Sequence, residues 1–202
     1  MPRKNRGYKR GEPHRDAILF VIACEGAVRE REYFEYLGTH SSQIKITVLE
    51  NKDGNSAPKW VLDSAARHVA EKELKEGDQL WFVMDVDRWP EDQLRAIHEE
   101  CEKRTNWHMA LSNPCFEVWL YMHIDDILNS TSTNARELKN ELSSKVKGGY
   151  NKKVFIPAIR DAHRRSLALD DNAEHFIPEF MRTKMHFLTT ELFKLIGSNA
   201  GI

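Results

Sequence analysis

Apolar and polar positions follow two rhythms along the first 128 residues. Ala17 to Cys24 is an unbroken apolar run, the pattern of a strand buried on both faces of a parallel sheet. Glu25-Gly26 ends it, and Val28, Tyr33, Phe34 and Leu37 then recur at helical spacing among charged residues. Ile44 to Leu49 alternates as a second strand, and Asn51 to Asn55 reads as a turn. Ser56 is placed as an N-cap and Pro58 in the first turn of a helix running to about Glu76, where Gly77-Asp78 stops it. Leu80 to Met84 is a third apolar run, leading into Asp85-Val86-Asp87. A helix over 90–103, a short strand over 107–111 and a helix opening at Cys115 complete the series.

Strand and helix alternate four times, which predicts right-handed crossovers and an α/β fold: a Rossmann-like, four-stranded parallel sheet flanked by helices. From about residue 129 the pattern is helical throughout, with segments 134–146, 154–168 and 178–196. The predicted organisation is a basic arm over 1–15, an α/β core over 16–128 and a helical extension over 129–202.

Parallel strands bring their carboxyl ends to one edge, where open α/β sheets bind ligands. Glu25 ends the first strand, Asp85 and Asp87 end the third, and Glu117 lies just beyond the fourth. Strand residues two apart share a face at roughly 6–7 Å, so Asp85 and Asp87 are predicted to converge. Four such carboxylates repel in a partly dry cleft, and a hard divalent cation relieves that repulsion. Two-metal sites of this kind serve in-line phosphoryl displacement.

Composition adds less. The net charge of −1 over 202 residues does not mark a nucleic-acid binder. Its distribution is uneven, because Arg3, Lys4, Arg6, Lys9, Arg10 and Arg15 face only Glu12 in the arm. Such an arm can track phosphates or remain a solvated tail. Three cysteines without a C-x-x-C pair argue against a disulfide framework. No apolar run is long enough to span a membrane and no signal-peptide pattern opens the chain, so a cytoplasmic location is expected. His98 and Cys101 stand one helical turn apart but lack a second ligand pair for zinc. Cys115 as a nucleophile competes with its reading as a small apolar residue opening a buried helix. There is no P-loop and no G-x-G-x-x-G. Asp85-x-Asp87 follows the third strand, against the first in haloacid-dehalogenase phosphotransferases.

Cys24-Glu25-Gly26-x-x-x-Glu30-x-x-Tyr33-Phe34, then Asp85-x-Asp87, then Ser112-Asn113-Pro114-Cys115-Phe116-Glu117-x-Trp119-Leu120 with His123, resembles the RloB family. Gly149-Tyr150-x-Lys152 and Met185-His186-x-Leu188 also fit its pattern. That family is related to AbiLii-type abortive-infection proteins and is regarded as Toprim-like. The resemblance implies a Mg²⁺- or Mn²⁺-dependent nuclease of anti-phage defence, working beside an ABC- or AAA-type ATPase. It assigns Glu25, Asp85 and Asp87 to metal binding; in such a nuclease Glu117 would assist as ligand or base and Glu30 could complete a second site. Arg29, Arg88 and the arm would meet phosphates. Arg29 stands where the family commonly has Thr. Other readings remain open: a non-catalytic accessory subunit binding nucleic acid or the ATPase, and a nucleotide-binding module.

Overall fold

The structure is a computed structural model that describes residues 17–25, 28–49, 57–147, 150–172 and 174–196. The arm, Gly26, the 51–55 turn, Ser56 and Gly148-Gly149 lie outside the described residues. The first half of the chain runs β1 (Ile18–Cys24), α1 (Arg29–Gly38), β2 (Ile44–Val48), α2 (Pro58–Glu71), β3 (Gln79–Asp85), α3 (Glu91–Glu102), β4 (Trp107–Asn113) and α4 (Glu117–Met122). The second half runs α5 (Ala135–Lys145), α6 (Lys152–Phe155), α7 (Ile159–Leu169), β5 (Arg182–Thr183) and α8 (Met185–Ile196).

The sheet order is β2-β1-β3-β4-β5, with β1 to β4 mutually parallel. This is the α/β, Rossmann-like architecture that the alternation predicts. The fifth strand was not predicted. Arg182 and Thr183 pair antiparallel with Asn113 and Ser112, and Met181 enters that strand at a φ of +58°. The helix expected from 178 therefore starts only at Met185. Two residues of edge strand carry no periodicity from which to read them. The helix expected to reach Glu76 ends at Glu71. Gly77 then turns the chain at a φ of +84°, where a Cβ would meet Ile18 Cδ1 at 2.9 Å. The buried Asp78 carboxylate next accepts the Leu19 and Lys75 N–H groups at 2.7 and 2.9 Å, fixing the start of β3 against β1.

Alternation along the buried strands sorts the core into two layers. Val21, Ala23, Leu80, Phe82 and Met84 pack with Val61, Ala65, Leu94 and Ile97 of α2 and α3. Phe20, Ile22, Cys24, Trp81 and Val83 face the other way, onto α1, α4 and the helices of the C-terminal third. Burying a large aliphatic or aromatic side chain contributes about 1.5–3 kcal/mol, so these two layers supply the main stabilisation. Asp85, two residues after Val83, shares the second face.

Candidate metal centre and phosphate-binding rim

β1 and β3 are neighbours in the sheet, but their connections leave in opposite directions, to β2 on one side and to β4 on the other. That reversal leaves a crevice at the carboxyl ends of β1 and β3. Cys24 lies level with Val83, so Glu25 reaches the last residues of β3. Its Oε1 accepts the Asp85 backbone N–H at 2.6 Å and its Oε2 accepts the Trp89 indole N–H at 2.6 Å. The Arg88 guanidinium stands 3.8 Å from Oε2. Glu25 is 5% exposed and Asp85 7%.

Asp85 is the last residue of its strand and lies level with Ser112 of β4. Its Oδ1 accepts the Phe116 N–H at 2.8 Å. That donor is available because β4 gives way to Asn113-Pro114, joined by a cis peptide bond, and the chain turns back over the end of β3. The Pro114 ring stands before α4 and not in its first turn, since α4 begins at Glu117. Burial, and then the charges of Glu25, Glu30 and Glu117, push the Asp85 pKa well above the usual carboxylate range. Burial likewise raises Glu25 and Glu30, in part offset for Glu25 by its two hydrogen bonds.

The expectation for Asp87 needs correction. β3 stops at Asp85, so the two aspartates are not strand residues sharing one face. Val86 N–H donates to Ser112 O and Asp87 N–H to Pro114 O, at 3.0 and 3.1 Å, as the chain turns. Asp87 ends up exposed at the mouth of the crevice while Asp85 is buried beneath it. It still shares the electrostatics of the site: partial desolvation raises its pKa, Lys139 and Arg88 lower it, and Glu117 raises it.

Glu117 is 6% exposed. Its Oε1 takes the Arg29 guanidinium at 3.1 Å and its Oε2 faces Lys139 Nζ at 3.7 Å. Arg29, the departure from the family pattern, thus opens α1 with its side chain across the acids and its carbonyl accepting the Tyr150 O–H at 3.0 Å. Lys139, Trp89 and Tyr150 were not found from the sequence as members of the site. Lys139 comes from a helix that begins well beyond Glu117, the last of the acids in sequence, beside the core residues Leu138 and Leu142. Trp89 gave only a signal of adjacency to Asp-x-Asp. Arg88 is exposed at the crevice, and the arm residues Arg3, Lys4, Arg6, Lys9 and Arg10 lie outside the described residues.

Carboxylate oxygens are the donors that hard divalent cations prefer, and mutually repelling acids are what such a cation relieves. The residues therefore fit Mg²⁺ or Mn²⁺ in kind. Among the described residues, however, no three His, Cys, Asp or Glu side chains stand ready as a metal-holding group. Glu25, Asp85 and Glu117 are instead engaged by a backbone N–H, an indole or a side-chain cation.

The weaker candidates resolve as packing. His98 stacks on Phe176 with ring centres 4.4 Å apart. Burial pushes the neighbouring Cys101 thiol up to about 12. Cys115 is fully buried and its thiol is pushed up by burial and by Glu117 and Asp85, which is contrary to a nucleophile. Among the described residues Cys24, Cys101 and Cys115 form no disulfide. Trp81, Trp107 and Trp119 are buried in the core. Among the described residues no helix is long and apolar enough to cross a membrane.

No match emerged among curated proteins or among solved structures. The family model described as RloB-like protein matches residues 20–192, a span that takes in Glu25, Asp85, Asp87, Glu117, Lys139 and every described strand from Phe20 onward. On that match the chain belongs to the RloB family.

Proposed function

We propose that the chain is a Mg²⁺- or Mn²⁺-dependent nuclease of Toprim type that hydrolyses phosphodiester bonds of DNA or RNA. The observation that carries this reading is the pairing of Glu25 with the end of β3 at the crevice between β1 and β3. There a buried Asp85 is repelled by three other acids and rimmed by Arg29, Arg88 and Lys139. Glu25 and Asp85 would hold the cation, with Asp87, Glu117 and Glu30 within electrostatic reach to complete its shell. When bound, the cation supplies a Lewis acid for the phosphoryl group and compensates charge on the departing oxygen.

The chain's own residues have distinct parts in this reading. The Phe116 N–H and the Trp89 indole hold Asp85 and Glu25 in fixed orientations, so little reorganisation is needed at the moment of reaction. Glu117 would orient water or accept its proton once Arg29 and Lys139 move to phosphates. Arg88 and Arg29 are exposed enough to pair with a backbone, Arg in a bidentate manner. Membership of the family supports a role in anti-phage defence beside an ABC- or AAA-type ATPase, an RNA target such as tRNA being suited to growth arrest. Three buried cysteines in no disulfide among the described residues are in keeping with a reducing, cytoplasmic setting.

A second reading, a non-catalytic accessory subunit, has one observation in its favour: Glu25, Asp85 and Glu117 already have internal partners, with no metal-holding group preformed among the described residues. Incubating the purified protein with plasmid, single-stranded DNA and total tRNA, in Mg²⁺, Mn²⁺ or EDTA, separates the two. The nuclease reading expects cleavage of at least one substrate that EDTA abolishes. Binding without cleavage under every metal would establish the accessory role.

A further inference from the structure

Glu117 has both carboxylate oxygens matched by side-chain cations, Arg29 from α1 and Lys139 from α5. The acid is buried, with its side chain 8% exposed, whereas both cations are 44% exposed. The acid is therefore fixed and the cations can swing outward. Burial weakens the Lys139 ammonium, but Glu117, with Asp85 and Asp87 behind it, outweighs this and raises its pKa. Arg88 stands in the same relation to Glu25, exposed and 3.8 Å away. The acids of the crevice thus carry tethered counter-ions from three separate elements.

Resting on the nuclease reading above, we infer that Lys139 and Arg29 form a charge latch that holds the crevice closed to divalent metal until a phosphate backbone draws them away. The ammonium and guanidinium that neutralise Glu117 are the groups best suited to grip phosphates at the same rim. A polyanion that takes them leaves the acids uncompensated and raises their affinity for a cation. By linkage, metal then raises affinity for the polyanion by the same factor. The helical C-terminal third, which supplies Lys139, becomes part of the switch.

The test measures Mn²⁺ binding by electron paramagnetic resonance, with melting temperatures in EDTA and in Mn²⁺, for the wild type, Lys139→Met and Arg29→Met. A short phosphorothioate oligonucleotide, which keeps the charge but resists cleavage, is present or absent. Each variant should bind Mn²⁺ roughly five- to tenfold more tightly than the wild type without oligonucleotide, a modest factor because both cations are half exposed. Their melting temperatures should fall in EDTA and recover in Mn²⁺. The oligonucleotide should tighten Mn²⁺ binding to the wild type and do so less for either variant. Equal or weaker Mn²⁺ affinity in both variants would overturn the latch and leave the metal site standing. An oligonucleotide without effect on the wild type would overturn the phosphate trigger. No Mn²⁺ bound by any of the three proteins at millimolar concentration would overturn the metal-site reading, and the latch with it.

Discussion

Asp85 is buried among acids, and burial and their charges outweigh the Phe116 N–H that donates to it, so its ionisation opposes folding. Its folded pKa lies above the unfolded value of about 3.9. Below that value both states are protonated and the fold gains the full benefit; as pH rises through the folded pKa the benefit is lost. Asp85→Asn keeps an acceptor for Phe116 and removes the charge. In EDTA the variant should be more stable than the wild type at neutral pH, with the advantage shrinking to nothing near the unfolded carboxylate pKa. Urea denaturation across that pH range measures it. A pH-independent difference would mean that Asp85 is not strained by its neighbours. The identity of the buried acids was legible in the sequence because strand ends mark them, Glu25 after one apolar run and Asp85 after another. The geometry of Asp87 was not. β3 keeps its ladder with β4 only to the Asp85–Ser112 pair, and the chain bends at Val86 before it reaches residue 87. The cations were also hidden, since no local pattern ties Lys139 or Arg29 to Glu117.

α1 and α4 are joined by a closed chain of hydrogen bonds. The Trp119 indole donates to the Tyr33 hydroxyl at 2.9 Å, and Tyr33 lies 3.0 Å from His123 Nε2. His123 Nδ1 lies 2.8 Å from the Trp119 carbonyl. A carbonyl can only accept, so Nδ1 carries the proton and Nε2 accepts from Tyr33. Tyr33→Phe leaves both the indole N–H and Nε2 without partners inside the core. The expected loss is about 2–4 kcal/mol, read as a lower urea midpoint at unchanged m; a loss below about 0.5 kcal/mol would show that the network is dispensable. Burial pushes the His123 pKa down to about 3, so it stays neutral when folded. The unfolded chain takes up that proton below about pH 6.5, so the contribution of His123 to stability should fall as pH drops from there towards 3. The strands and α1 to α4 could be read from periodicity because their apolar positions are numerous and regular. Residues 178–184 could not. Their structure is set by tertiary contacts, notably the Ser112–Thr183 hydroxyl pair at 2.8 Å and Lys184, buried on Asp170 at 2.6 Å.

At the scale of the whole molecule, the near-neutral net charge leaves phosphate binding to local clusters. Arg29, Arg88 and Lys139 rim the crevice, and the basic arm adds six cations at residues 3–15. If the arm tracks a phosphate backbone, removing residues 1–15 should weaken nucleic-acid binding and flatten the dependence of log affinity on log salt. An unchanged slope would leave the arm as a solvated tail. The parallel order was legible from alternation alone, and with it the edge on which the acids meet. The packing of the C-terminal helices against that edge was not, because helical periodicity identifies an apolar face without naming what it covers. In the proposed nuclease, Asp85 and Asp87 belong to a metal-dependent cleavage site and are not needed for the fold. Cleavage of the preferred nucleic acid by the wild type and by the Asp85→Asn, Asp87→Asn double variant, in Mg²⁺ and in EDTA and with melting temperatures alongside, tests it directly. The expected result is cleavage by the wild type in Mg²⁺ alone, none by a double variant that melts at or above the wild-type temperature in EDTA. Full cleavage by the double variant, or cleavage by the wild type that survives EDTA, would contradict it.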